Sequence, residues 1–301
     1  MASIKNLLTL SVAFLFLHSG TVSAQIYFQQ GNSQIRKADL NGSGLTPLIT
    51  TTIKGPLSLD APNGKMYWSD SSNIRRANLD GTGMEDVLTG QSLVREIAVD
   101  PSSSRFYWTD EGDGVVRRAK YDGSNVETLV SGLSSPYGVE LDVPDGRMFY
   151  VDGSAAHMAS LDGSGSSLLH DHGVGGIHSM AIAAADDLIF WAHTAPGPIS
   201  SIYKMNTDGS GLALVLSGSA TSSMRGMGID LVNKKIYFDE GYGEVIMRAN
   251  FDGSDLETVL GDAQAPSILP RVGAAVPEPS AAVFGVLALM LLTIVHRPSR
   301  S

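Results

Sequence analysis

Residues 95–130 read REIAVDPSSSRFYWTDEGDGVVRRAKYDGSNVETLV, and the order of apolar runs and turn signals in this stretch decides the fold. Four short strand patterns follow one another: 95–100 alternates, 105–110 is aromatic and ends on Asp110, 115–121 alternates again, and 125–130 closes the unit. Aromatic and β-branched residues suit a half-buried pleated surface. The Asp122-Gly123 pair between the third and fourth segments supplies the positive φ angles of a tight hairpin, which makes it scaffold rather than catalysis.

The unit recurs along the chain. Aromatic pairs stand at Tyr27-Phe28, Tyr67-Trp68, Tyr107-Trp108, Phe149-Tyr150, Phe190-Trp191 and Tyr237-Phe238. Each is followed by a turn pair: Asn41-Gly42, Asp80-Gly81, Asp122-Gly123, Asp162-Gly163, Asp208-Gly209 and Asp252-Gly253. A period of roughly 40 residues is the length of a propeller blade. The expected fold is therefore all-β: a six-bladed β-propeller of four-stranded antiparallel blades over residues 25–272. The first unit has no strand ahead of Tyr27, and residues 267–272 have no blade of their own. A C-terminal strand completing the first blade would close the ring and remove two sheet edges, although Pro270 would forgo one ladder hydrogen bond there.

These residues resemble the YWTD propeller of the low-density lipoprotein receptor family. Tyr107-Trp108-Thr109-Asp110 is the whole motif and Tyr67-Trp68-Ser69-Asp70 nearly so; later copies decay to Phe149-Tyr150-Val151-Asp152, Phe190-Trp191-Ala192-His193 and Tyr237-Phe238-Asp239-Glu240. An aspartate precedes the motif by seven residues at Asp60, Asp100, Asp142 and Asp230, with Ala183 in the fifth unit. The resemblance speaks for the fold and little for the activity, because propellers host many functions. Receptors of that family carry cysteine-rich modules beside the propeller, and this chain has no cysteine, so a receptor role is not implied.

The two ends point out of the cytoplasm. Residues 1–24 combine Lys5, an apolar run over 7–17 and the small-residue ending Val22-Ser23-Ala24, which reads as a signal peptide cleaved before Gln25. At the other end, a linker over 273–279 carries Pro277, Glu278 and Pro279, followed over 280–301 by an apolar run and a basic tail. That order resembles the PEP-CTERM sorting signal of bacterial surface proteins. The resemblance implies an exosortase-type processing enzyme as one partner and transient membrane anchoring through the C-terminal segment. As a marginal membrane helix, the segment would keep Arg297 and Arg300 cytoplasmic. The expected location is the bacterial cell envelope, cell surface or extracellular matrix.

Removing both ends leaves 18 basic and 30 acidic residues, a formal charge of −12 against −10 for the whole chain. Such acidity argues against nucleic acid as a partner. With no cysteine, stability must come from packing and strand pairing, and thiol catalysis is excluded. No nucleophile elbow, phosphate loop, dinucleotide fingerprint or zinc-protease motif occurs, so no catalytic residue is assigned.

What repeats is scaffold. Five residues before each turn glycine stands Lys37, Arg76, Arg118, Met158, Lys204 or Arg248, and the motif ends on Gln30, Asp70, Asp110, Asp152, His193 or Glu240. Opposite charges accompany each other in blades two, three and six, which suggests structural ion pairs within or between blades. Function should sit where the repeats differ, on the face built by the loops after the motif and the connectors between blades. The ligand-face candidates are Arg95, Tyr137, His178 and Arg225 at the entry to the inner strands, with Glu111, Asp113 and Tyr242 in the loops after the motif. Arginine and tyrosine are common interface anchors, which suits a surface protein or a polysaccharide as partner. His170, His172, His178 and His193 gather in blades four and five and could hold a divalent metal. The sequence thus favours a non-enzymatic binding module, with a metal-dependent hydrolase or lactonase at the channel mouth as the alternative.

Overall fold

Neighbouring residues of a strand point to opposite faces of its sheet, and each aromatic pair uses this to hold its blade to both neighbours. The computed structural model describes residues 13–15, 25–30, 33–53, 57–195, 200–217, 226–240 and 245–261. Its six four-stranded sheets each run in chain order, and each is antiparallel throughout. In blade three the strands are Val94–Asp100, Arg105–Asp110, Val115–Lys120 and Glu127–Ser131, with Trp108 in register against both Ile97 and Arg117.

The buried side chains form six clusters, one at each blade interface. The first aromatic of a pair faces the following blade and the second faces the preceding one. Tyr67 of blade two meets Phe106 and Trp108 of blade three. Tyr107 then meets Tyr150, Phe149 meets Trp191, and Phe190 meets Phe238. The ring closes where Tyr237 of blade six packs with Ile26 and Phe28 of blade one. Trp68, Trp108 and Trp191 are fully buried in this arrangement. Truncating such a side chain costs about 3–5 kcal/mol, so the aromatic pairs are the chief cohesion between blades.

Polar contacts repeat with the same period. The turn residues Asn41, Asp80, Asp122, Asp162, Asp208 and Asp252 each accept the backbone N–H two residues on, at 2.8–2.9 Å. The glycine beside them is required for a second reason. A Cβ on Gly123 would stand 2.2 Å from the Val87 carbonyl of the preceding blade, and one on Gly42 would stand 2.3 Å from Val259 O across the ring closure. The aspartate seven residues before the motif shapes the first turn: Asp60 accepts from Asn63, Asp100 from Ser102 and Ser103, and Asp230 from Val232 and Asn233. In blade five, Ala183 cannot do this, and a short 3-10 turn over Ala184–Asp186 replaces it.

Two expectations change. The repeated arginines do not pair with the motif acids in blades two and three. Arg76 meets Glu85 at 2.7 Å and Arg118 meets Glu127 at 2.6 Å; in blade six Arg248 meets Glu257 at 2.5 Å. All three partners lie on the outer strand of the same blade. The reason is side-chain alternation: Arg76 is in register with Tyr67, so it lies on the opposite face from Asp70, which takes Arg75 at 3.1 Å instead. The arginines reach the next blade through a carbonyl, Arg76 to Tyr121 O, Arg118 to Leu161 O and Arg248 to Leu40 O, and Lys204 does the same to Phe251 O.

The second change concerns the first blade. Its inner strand is Ala13–Leu15, antiparallel to Gln25–Gln30 with Phe14 opposite Ile26, rather than a C-terminal segment. The inner edge of Gln25–Gln30 exposes a row of backbone groups that an apolar extended segment can satisfy, and Ala13–Leu15 supplies one. Residues 267–272, the Pro-Glu-Pro motif and the C-terminal apolar segment lie outside the described residues. Among the described residues no helix is long and apolar enough to cross a membrane.

Candidate functional site

The hairpins and first turns share one end of the ring: Tyr121 N–H donates to Ser104 O, and Leu161 N–H to Gly146 O. The loops after the motif and the blade connectors meet at the other end, where Glu111 N–H donates to Leu93 O and Leu133 N–H to Gly114 O. The motif's acidic position joins these two kinds of loop. Asp110 accepts from Ser92 N–H and Leu93 N–H, and Asp152 from Ser134 N–H and Ser135 N–H. In blade five, where His193 stands in that position, its Nε2 lies 2.8 Å from Val174 O of the connector. His193 therefore does the aspartate's work with an imidazole.

On this scaffold Arg95, Glu111, Tyr137 and His178 come together across blades three, four and five. Arg95 and Glu111 form an ion pair, their side chains 28% and 24% exposed. Ser135 Oγ donates to the other carboxylate oxygen of Glu111 at 3.2 Å. The guanidinium lies 4.9 Å from the Tyr137 ring centroid. The Tyr137 ring in turn meets His178 edge-on at 5.3 Å. The motif threonine sets this spacing: Thr109 Oγ1 accepts from Glu96 N–H and donates to Tyr137 O at 2.8 Å, tying the two inner strands together. The result is a partly exposed strip of charge and aromatic surface at the entry to the inner strands.

Asp113 is not part of the strip; it pairs with Arg117 at 2.8 Å, and Arg117 also reaches Asp110 at 3.3 Å, fixing the loop after the motif. Arg225 and Tyr242 lie outside the described residues.

Of the four histidines considered as metal ligands, three come together. His172 stacks on His193 at 3.8 Å and meets His170 at 4.5 Å, beside Trp191 and Tyr203, whereas His178 packs on Tyr137. Two of the ring nitrogens face protein partners: Trp191 Nε1 donates to His172 Nε2 at 3.0 Å, and His193 Nε2 lies 2.8 Å from Val174 O. Stacked rings do not converge lone pairs on one point, and among the described residues no three histidine or acidic side chains could hold an ion together. Burial, then His193 and His170, hold His172 neutral down to about 4. The cluster is an aromatic plug between blades four and five.

Two further residues escaped the sequence reading. Glu96 and Glu140 lie on adjacent inner strands, Val94–Asp100 and Pro136–Asp142. Burial first, and the Glu96 charge second, push the Glu140 carboxyl well above its ordinary range. Gly138 leaves room for Glu96, whose Oε2 would be 3.3 Å from a Cβ there. The signal was present in the repeat. Two residues before the turn aspartate, where Glu140 stands, the other blades carry Ser58, Ala98, Ala181 and Gly228.

No protein-family model matches the chain, and no curated protein matches it in sequence. Solved structures do match. A chain of a nidogen/laminin complex is similar with a TM-score of 0.73 at 17% identity, covering 82% of this chain and 97% of that one. A putative TolB from Agrobacterium tumefaciens has a TM-score of 0.64 at 14% identity, over 76% and 88% of the two chains. Hydrazine synthase from Kuenenia stuttgartiensis has 0.62 at 10%, over 83% and 79%. At these identities the likeness is one of fold.

Proposed function

We propose that this propeller is an exported binding module of the YWTD type that docks a protein ligand on the face carrying Arg95, Glu111, Tyr137 and His178. The observation that carries the reading is the continuity of that strip over three blades, with the arginine and tyrosine held by scaffold contacts rather than left to solvent. A preorganised arginine and aromatic pair loses little freedom on binding and serves as a hot-spot anchor. A protein fits better than a polysaccharide. All three tryptophans of the chain are sealed in blade interfaces, which leaves no exposed indole on which sugar rings could stack. The nidogen/laminin likeness supports the same choice, since that structure is a propeller-like chain in a protein complex. The signal-like and Pro-Glu-Pro segments support delivery to the cell envelope, with the exosortase-type enzyme as a processing partner; cleavage before Gln25 would remove Ala13–Leu15 and leave the inner edge of Gln25–Gln30 to another strand.

The reading is tested by placing a photo-crosslinking amino acid at Tyr137 or at Ser124, which lies in the hairpin at the opposite end, and irradiating intact cells. A discrete adduct at Tyr137 that Arg95→Ala removes, and that Ser124 never gives, is the expected result. Equal labelling from both positions would refute the proposal. Cell fractionation tests the export step: a chain found only in the cytoplasm would overturn it.

A further inference from the structure

Every blade ends in an outer strand whose free side presents backbone N–H and C=O groups, and such edges pair with other strands unless charge or proline blocks them. Five of the six are blocked. Blade one has Pro47 within Thr46–Thr50, and blade two has Glu85 and Asp86 within Glu85–Leu88. Blades three and six begin their outer strands with Glu127 and Glu257, and blade four ends its own with Asp171. Blade five is different. Its outer strand Ala213–Ser217 reads ALVLS, and no charged residue or proline occurs from Gly209 to Ser217. Leu212 and Leu214 are 43% and 56% exposed, two residues apart. All six outer strands share a register shift against their inner neighbour, so edge twist does not separate blade five from the rest. Composition does.

We propose that this edge pairs with the same edge of a second copy of the chain, antiparallel about a two-fold axis, so that two blades become one eight-stranded sheet. Charge complementarity singles out a second copy as the occupant. At a formal charge of −10, two copies repel over most of their surface. In an isologous antiparallel contact residue i meets residue j of the other copy and j meets i, so on an edge of four or five residues any charge is brought close to its own image. Where blades two, three and six place a glutamate at the first position of the outer strand, blade five has Ala213. The second position, across from Tyr203, is Leu214. An Ala-Leu-Val-Leu-Ser strand tolerates its own image and buries leucine against leucine. The contact lies at the rim, so the inference stands apart from the ligand face and survives its failure.

The absence of cysteine supplies a clean test on the full chain. Leu214→Cys and Ser217→Cys place a thiol on this edge, and Leu168→Cys places one on the outer strand of blade four, where the leucine is 58% exposed. After mild oxidation, or a short bis-maleimide, the blade-five variants should form covalent dimers about tenfold more than Leu168→Cys, because a paired edge raises the local thiol concentration above that of free collision. Melting curves confirm that each variant is folded. Equal crosslinking at the two blades would mean collision alone, and crosslinking only at blade four would move the contact elsewhere. Either result, or no dimer from any variant, overturns the proposal.

Discussion

Replacing Gly123 by alanine tests whether blade contacts, rather than turn geometry, fix the second glycine of the repeat. Gly123 has φ +78°, and its missing Cβ would lie 2.2 Å from Val87 O of blade two. A left-handed conformation costs an alanine about 1–2 kcal/mol. The overlap adds about 1–3 kcal/mol more, because the carbonyl belongs to a strand packed in the ring and cannot step aside. The Arg76 bond to Tyr121 O, two residues away, spans the same interface and would be stretched by any retreat. Gly132 is the control. Its φ is +80°, and a Cβ there meets nothing within 4 Å, so Gly132→Ala carries the backbone cost alone. Thermal unfolding followed by circular dichroism should place Gly123→Ala below Gly132→Ala by about 2–12 °C, taking about 2–4 °C per kcal/mol for a domain of this size. Trp108 lies in the same interface cluster, and its fluorescence should shift only in Gly123→Ala. Equal melting temperatures for the two variants would refute the reasoning.

Three further outcomes follow from the same contacts. His172 holds its proton only below about 4, against an ordinary 6.5, chiefly because it is buried, and its Nε2 is already engaged by the Trp191 bond. The unfolded chain then takes the proton first as pH falls. Stability should be complete above pH 6.5 and decline by about 1–3 kcal/mol toward pH 4, and His172→Gln should flatten that part of a melting-temperature profile. Glu140 has the opposite sign: its raised folded value favours the fold below the ordinary 4.5, and this contribution is lost as pH rises through the folded value. Glu140→Gln should accordingly raise the melting temperature at pH 7.5 and leave it unchanged at pH 4. Arg118→Met copies blade four into blade three, removing the Glu127 pair and the bond to Leu161 O; urea unfolding should register a loss of about 1.5–3 kcal/mol.

The fold was legible because its determinants are local and repeated. Tyr107-Trp108 needs only the alternation of a strand to reach two blades, and Asp122-Gly123 needs only its own turn. The partner of Arg118 was not legible. The motif acid Asp110 and the true partner Glu127 are both near in sequence, and only the face on which each side chain lands separates them. The strip at the entry to the inner strands was legible in part. Arg95, Glu111, Tyr137 and His178 were marked by the loop ends they occupy, but Asp113, one turn further on, falls under the pull of Arg117. Glu96 and Glu140 were hidden because an acid in an alternating strand reads as solvent-facing, and only the ring brings the two inner strands side by side and buries the pair.

The departures of blades four and five from the repeat are linked rather than scattered. Tyrosine in the first aromatic position accompanies a cation in register with it: Tyr67 with Arg76, Tyr107 with Arg118, Tyr237 with Arg248, and in blade one Tyr27 with Lys37. In blade four the pair becomes Phe149 with Met158, which can neither bond to a hydroxyl nor clamp a carbonyl of the next blade. The glutamate that pairs with the arginine goes with it: Ser167 stands where blades two, three and six have Glu85, Glu127 and Glu257, as Thr46 and Ala213 stand opposite the lysines of blades one and five. The same interface is then closed by other means. Trp191 is given a partner in His172, while Trp68 and Trp108 have none for Nε1 among the described residues. His193 takes over the connector, and ring stacking replaces the salt bridge. An ion pair of the blade-two kind depends on salt and little on pH near neutrality, whereas a histidine plug depends on pH and little on salt. The interface beside His178 is thus the one whose cohesion responds to acid. If that exchange is what the substitutions achieve, the triple variant Phe149→Tyr, Met158→Arg and Ser167→Glu should make the blade four to five junction salt-sensitive, while His172→Gln in the same background removes its response to pH.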